Sequence, residues 1–380
     1  MDVICDLVLL SWNHVEETKP CLETLFESTE VPARLFIVDN GSKPEVRAFL
    51  QGVRPRGHIA EVILLQNERN EGFPKGMNRG IRASTAPFVC LLNNDLLFTQ
   101  GWLQEMIAVA NARPEIGVVN PASSTLGNHP PRGTSLQEYA DNLRLRHGVY
   151  TEVGMCIGFC MLVKRAVIDR LGGLSEEVDR IFFEDEDFCM QAQQAGFQSV
   201  VAAAAFVYHG EHKTVRDLPE REMLFTKNRR WCEEKWGRWI RIAWPRFAPV
   251  VPGSPELRQW LERLLAWARR RAYIHVFAPM PAGMTQDSLF RSVGLIPHAD
   301  IHWYAIRKPF VPLAAMGSIV ARRKKPIDLI AAPKGTWAES MRRLRWVHHA
   351  EVIAQGEEAE LVAQWQQKAH PVKRASRMAP

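Results

Sequence analysis

The side chains able to do chemistry sit in four short polar clusters, each of which ends or interrupts a strongly apolar run. In FEDED at 183–187 carboxylates crowd together, and their mutual repulsion raises at least one pKa unless a cation or donor compensates, which suits a general base. The same cluster opens an amphipathic stretch at 184–194, where acidic side chains also suit the positive end of a helix dipole, so a capping role explains it equally well. LLNNDLLF at 91–98 forces Asn93, Asn94 and Asp95 out of an apolar strand. Asp95 can there hold a hard cation against a pyrophosphate, with a simple turn as the competing reading. In VDNGS at 38–42, Asp39 can accept hydrogen bonds from a nucleobase, although an Asx-turn before Pro44 is the more economical explanation of the residue alone. His209 closes the apolar run of FVYHGEH, as either a metal ligand or a structural imidazole.

The elements that must position these residues follow from periodicity. Short apolar runs at Val3 to Leu10, Arg34 to Val38, Glu61 to Leu65, Phe88 to Leu92 and Gly117 to Asn120 alternate with amphipathic stretches, the pattern of a mainly parallel sheet covered by helices. SWNH at 11–14, DNGS at 39–42, NERNEGF at 67–73 and NND at 93–95 follow strands and are expected on one rim, at the carboxyl ends where open α/β sheets bind ligands. Residues 122–150 read as a long loop, a candidate flap. Prolines and a glycine at 245–255 mark a linker, so the expected division is a domain over 1–248, a linker over 249–255, a smaller α/β module over 256–368 and a polar tail over 369–380. In that module Trp303, Trp337, Trp346 and Trp365 read as core and His348-His349 as surface.

Composition narrows the class. Of 380 residues, 46% are hydrophobic and 24% charged, which excludes a long disordered or fibrous chain. Forty-eight Lys and Arg against 42 Asp and Glu give +6, too mild an excess for a dedicated nucleic-acid binder. The seven cysteines are scattered without a CxxC pair, so no disulfide scaffold is expected. The first residues lack the marks of a signal peptide, and no apolar run approaches the ~20 residues of a membrane span. The expected location is cytoplasmic. The Arg- and Trp-rich stretch 227–246 raises contact with the inner membrane face, weighed against packing of its tryptophans onto the domain. A dinucleotide oxidoreductase is disfavoured because no GxGxxG follows the first strand, and a nucleotidyltransferase because SWNHVEE stands where a glycine-rich basic loop belongs.

Taken together, the motifs resemble glycosyltransferase family 2, an inverting family with the GT-A fold, and within it the rhamnosyltransferase-like bacterial members. The resemblance runs from about Val3 to Gly237 through LLSWN, VDNGS, NEGFPKGMNRGI, LNND, GFCMLVKRAVIDRLGGL, FFEDEDFC, VYH and KNRRWCEEKWG. It implies a GT-A-type, mainly parallel sheet flanked by helices, and transfer of a hexosyl or deoxyhexosyl group from a nucleoside-diphosphate sugar to a glycan or lipid-linked acceptor in polysaccharide biosynthesis. Asp185, with Glu184, would be catalytic, Asp185 as the base. Asn13, Asp39, Asn40, Asn70, Gly72, Lys75, Asn78, Asn94 and Asp95 would bind the donor, with Asp39 on the nucleobase. Asp95 and His209 would hold Mg²⁺ or Mn²⁺, with one anionic ligand lost because Asn93 opens the metal motif. The alternative is a non-catalytic nucleotide-sugar-binding scaffold in which the acidic cluster only caps a helix.

Overall fold

The computed structural model describes residues 2–210, 219–307, 310–322 and 324–356. Two compact units divide the chain, Met1–Trp231 and Cys232–Pro380.

In the first unit the order is β1 (Cys5–Ser11), α1 (Val15–Ser28), β2 (Ala33–Asp39), α2 (Pro44–Gln51), β3 (Ile59–Gln66), α3 (Phe73–Ala83), β4 (Phe88–Leu92), β5 (Leu96–Phe98), α4 (Trp102–Ala112) and β6 (Ile116–Ala122). There follow α5 (Leu136–Leu143), β7 (Tyr150–Val153), β8 (Cys160–Lys164), α6 (Arg165–Leu171), α7 (Glu184–Gln194), β9 (Gln198–His209) and α8 (Arg221–Trp236), inside which the division between units falls. The strands form one sheet in the order β3-β2-β1-β4-β8-β6-β9-β5, with β7 on β9. β3, β2, β1 and β4 pair in parallel, β8 runs antiparallel between β4 and β6, and β9 is again parallel to β6. β1 and β4 are covered on both faces, which is why they read as apolar runs, interrupted in β1 by the buried Asp6, rather than as alternating ones. α3 lies hard against β1: a Cβ at Gly80 would stand 2.3 Å from Val8 Cγ1, so only glycine permits this approach.

The mainly parallel sheet flanked by helices is the GT-A-type architecture expected. Residues 122–150 differ from the loop reading. They contain a 3₁₀ turn at Ser124–Leu126 and α5, whose start carries a capping box in which Glu138 N–H donates to Ser135 Oγ and the Glu138 carboxylate accepts from the Ser135 N–H.

The second unit holds β10 (Ile240–Pro245), α9 (Pro255–Ala268), β11 (Ala272–Ala278), α10 (Gln286–Arg291), β12 (Ile301–Ala305), α11 (Val311–Val320), β13 (Leu329–Ala332), α12 (Thr336–Arg343), α13 (Arg345–His348) and β14 (Glu351–Ala354). Its sheet is parallel throughout, in the order β12-β11-β10-β13-β14. One face packs Ile242, Trp244, Ile274 and Val276 against Leu261 and Leu264 of α9, and the other packs Ala243, Phe277 and Ile330 against Ala315 and Ile319 of α11. The boundary placed at 249–255 therefore lies too late: β10 is the middle strand of this second sheet, and 249–255 is its connection to α9. Two smaller readings also change. Trp346 is 76% exposed rather than core, and His348 is buried rather than at the surface, with Nε2 2.9 Å from the Met341 carbonyl oxygen. Trp365 and the tail at 369–380 lie outside the described residues. No described helix is long and apolar enough to cross a membrane, and all seven cysteines are buried free thiols.

Candidate active site

α7 begins after a strained approach. Arg180, Phe182 and Phe183 have φ of 59°, 78° and 71°, a region that bulky residues rarely enter and that costs about 1–3 kcal/mol each. Neighbouring groups hold the segment there. The Phe73 N–H donates to the Arg180 carbonyl at 2.6 Å, and Asn228 Nδ2 donates to the carbonyls of Asp179 and Ile181 at 2.9 and 2.7 Å. Phe182 and Phe183 pack their rings against Phe225. Gly72, at φ 89°, lies so close that a Cβ would stand 2.8 Å from Arg180 Cα, which explains the glycine before α3.

The strain sets where the acidic side chains go. Asp185 is half-buried, its Oδ2 accepting from the Gly158 N–H at 3.0 Å and its Oδ1 from the Glu186 N–H at 2.8 Å. Burial raises its pKa above the ordinary aspartate range, while those two backbone donors pull against the rise. Glu184 is 5% exposed, and its Oε2 has no hydrogen-bond partner among the described residues. Burial first, then the adjacent Asp185 charge, push the Glu184 carboxyl well up.

The second cluster forms where β4 ends and β5 meets β9. The Asn93 N–H donates to the Phe159 carbonyl at 2.9 Å, and the β5–β9 ladder sets Leu96 opposite His209. His209 is 1% exposed, with Nε2 3.2 Å from Asp95 Oδ1 and 3.4 Å from Asn93 Nδ2. Its Nδ1 lies 2.8 Å from Thr125 Oγ1, and its ring stacks on Phe159 at 5.1 Å. An imidazole with one nitrogen tied to a hydroxyl and the other facing a carboxylate is oriented as metal-binding histidines usually are. Among the described residues no group of three or more His, Cys, Asp or Glu could hold a metal. A divalent cation at the Asp95–His209 pair would need its remaining ligands from phosphate oxygens and water.

These two clusters meet. One cleft of ≈ 250 Å³ is lined by Asn93, Gly158, Glu184, Asp185 and His209 together with aromatic and aliphatic side chains including Phe73, Met155, Ile157 and Phe182. Asp95 adjoins the cleft through His209.

The other expected donor-binding residues form a network on the neighbouring rim. The Asn13 N–H donates to Ser42 Oγ at 2.9 Å and Asn13 Oδ1 accepts from the Lys43 N–H at 3.0 Å, stitching the first loop to the second. Asn40 donates to Asn70 Oδ1 and the Gly72 carbonyl, and accepts from Asn67 Nδ2 and the Glu71 N–H. Asp39 differs from the expectation that it faces a ligand. It is wholly buried, with Oδ1 accepting from the Ser42 N–H at 2.9 Å and Oδ2 from Arg47 Nε at 3.1 Å, so the Asx-turn is what the structure shows. Asn78 is likewise turned inward, bonded to both backbone groups of Leu174 and to Glu176, and Asn94 donates to Thr18 Oγ1 at 2.8 Å. These short amides have hydrogen-bonding partners inside the fold, which competes with a ligand. Lys75 is exposed on the first turn of α3.

Sequence reading missed Thr125, Gly158, Phe159 and Phe225. The GFC string carries two of them, but nothing local marks a backbone N–H as a carboxylate donor. Ser11 Oγ and Gln66 Nε2, at the ends of β1 and β3, are buried without a partner among the described residues.

Residues 6–172 match the family described as Glycosyl transferase family 2. Among curated relatives, an uncharacterized protein, y4gI, of Sinorhizobium fredii is 25% identical over 255 residues, 61% of this chain and 27% of that protein. The pre-mycofactocin glycosyltransferase of Mycobacterium tuberculosis is 24% identical over 319 residues, 79% of this chain and 64% of that protein. The N-acetylglucosaminyl-diphospho-decaprenol L-rhamnosyltransferase of the same organism is 24% identical over 57% of this chain and 80% of its own length. The chain thus spans less than two thirds of the first two. Among solved structures, the mannosyltransferase PcManGT from Pyrobaculum calidifontis is 16% identical with a TM-score of 0.44, over 60% of this chain and 64% of that one. With the mainly parallel sheet and the motifs in their expected order, residues 6–172 of the amino-terminal unit are similar to glycosyltransferase family 2.

Proposed function

We propose that the chain transfers a glycosyl group from a nucleoside-diphosphate sugar to an acceptor hydroxyl by a single in-line displacement that inverts the anomeric carbon. One observation carries this reading: Asp185, a carboxylate of raised proton affinity, shares a cleft with Asn93 and His209. As the acceptor oxygen bonds to the anomeric carbon, the bond from that carbon to the diphosphate oxygen breaks and its electron pair leaves with the nucleoside diphosphate. The hydroxyl proton passes to Asp185. A base whose pKa lies nearer the working pH accepts that proton with a better driving force than an ordinary aspartate. The Gly158 N–H at 3.0 Å fixes the carboxylate's direction, so little reorganisation accompanies the transfer.

Asp95 and His209 would hold Mg²⁺ or Mn²⁺, which when bound neutralises charge on the leaving diphosphate. Thr125 keeps His209 oriented for this. On the donor side, the rim built by Asn13, Asn40, Asn70 and Gly72 would seat the nucleotide, with Ser11 and Gln66 gaining partners from it. Asp39 would reach a nucleobase only by giving up Arg47, and otherwise acts by shaping the loop. The aromatic side chains lining the cleft suit the apolar face of a hexose or deoxyhexose, and the acceptor would be a glycan or lipid-linked saccharide. The rhamnosyltransferase relative lends the deoxyhexose some weight.

The test is a panel of radiolabelled nucleotide sugars incubated with the full chain and Mn²⁺. Transfer, or slow donor hydrolysis without acceptor, is expected for at least one donor. Tight donor binding with neither reaction would replace this reading by the non-catalytic scaffold.

A further inference from the structure

The carboxy-terminal unit contains a cavity of ≈ 320 Å³ lined by residues of β10, β11 and β12. Three cationic side chains line it, Arg241, Arg322 and Lys325, together with two imidazoles and two phenols, and among the described residues no carboxylate does. His275 and His302 are partners on adjacent parallel strands, their rings stacked at 5.3 Å. Arg322 Nη1 lies 2.8 Å from His275 Nε2, and its Nη2 donates to Tyr304 Oη at 2.6 Å. The phenol oxygen is 3.2 Å from His275 Nδ1. Arg241 lies 5.3 Å over the ring of Tyr273.

Among the described residues the Arg322 guanidinium thus meets neutral partners, His275 and Tyr304. The nearby acids are committed elsewhere: Asp328 receives Arg238 at 3.3 Å and the Arg241 N–H at 2.8 Å, and Asp300 stands 3.6 Å from His298. Partly buried cations are ordinarily balanced by carboxylates. The imbalance is felt by the imidazoles. Burial, then Arg322, His302 and Arg241, hold His275 down to about 3, and burial, Arg322 and Lys325 lower His302.

We propose that this cavity is a binding site for a phosphate-type group carrying two or more negative charges, its oxygens received by Arg241, Arg322 and Lys325. Arginine forks and a lysine point charge are the side chains that recognise such oxygens best. The hydroxyl of Tyr304 adds a donor, and the stacked imidazoles take up protons when the anion arrives, because a nearby negative charge favours their charged form. The phosphate can be that of a free metabolite or of a lipid headgroup.

The experiment is calorimetric titration of the full chain with inorganic pyrophosphate in EDTA, which silences cation-assisted binding elsewhere. Wild-type chain is expected to bind, and Arg241→Ala/Lys325→Ala to bind at least tenfold more weakly. As a readout independent of that variant's folding, the ring ¹⁵N signals of His275 and His302 are followed in the wild type, where pyrophosphate is expected to shift both toward the protonated form at pH 6. Sedimentation with phosphatidic acid vesicles separates the sources: binding there that the double variant loses identifies a lipid phosphate, and pyrophosphate binding without it identifies a soluble one. Absence of both, unmoved histidine signals, or affinity unchanged in a folded double variant would overturn the proposal.

Discussion

Glu184→Gln replaces a carboxylate by an amide of the same shape at a site that is 5% exposed and leaves Oε2 without a partner among the described residues. The Glu184 pKa is raised in the folded protein, by burial first and the Asp185 charge second. A group whose folded pKa is raised stabilises the fold fully below its unfolded pKa of about 4.3, and that contribution is lost as pH rises through the folded value. Glutamine has no such loss. The variant should therefore match the wild type near pH 4 and become the more stable form toward pH 8. An unsatisfied buried polar group costs about 1–3 kcal/mol, more when charged. For a domain of this size each kcal/mol moves Tm by ~2–4 °C. The expected gain at pH 8 is thus several degrees, read by differential scanning calorimetry at both ends of the range. A difference in Tm that is flat with pH, or a variant less stable at pH 8, would refute the reasoning.

Three further outcomes follow from named contacts. Asp6, fully buried on β1, takes Arg34 at 2.8 and 2.9 Å and the N–H groups of Thr85 and Ala86 at 2.6 and 2.7 Å. Asp6→Ala should cost about 3–5 kcal/mol in a urea titration because it strands these donors, and a loss below about 1 kcal/mol would contradict that. Thr125→Val unties His209 Nδ1 and should weaken Mn²⁺ binding in the presence of a nucleoside diphosphate by ~10-fold or more, measured by electron paramagnetic resonance; unchanged affinity would remove Thr125 from that role. Because the base must be ionised and its pKa is raised, kcat/KM should fall on the acid side at a pH above the ordinary aspartate value, and a limb at or below that value would count against Asp185.

Much of this was legible because it rests on long, one-signed patterns. β4 (Phe88–Leu92) and α7 (Glu184–Gln194) fall on the residues that periodicity marks, and the loops after β1, β2 and β3 are hydrogen-bonded to one another. β10 was hidden because IRIAWP is short, follows a Trp- and Arg-rich helix and runs into prolines, so its apolar content reads as the end of the preceding unit. The helix inside 122–150 was announced by SLQE, a capping box outweighed by the prolines before it. The left-handed Phe182 and Phe183 carry no local signal at all, since packing on Phe225 and the Phe73 N–H bond to the Arg180 carbonyl hold the segment against intrinsic preference. Asp39 is the instructive residue. Its position at a strand end was readable, but whether its carboxylate faces outward depended on Arg47, eight residues away on the next helix.

The central claim is that Asp185 takes the acceptor's proton. Its most direct measurement is single-turnover transfer by Asp185→Asn at saturating donor, with donor affinity determined on the same sample by calorimetry. The account predicts donor affinity within a few-fold of wild type and a rate lower by about 10²–10⁴, the range supplied by general-base catalysis. Turnover near the wild-type rate with donor bound would contradict it.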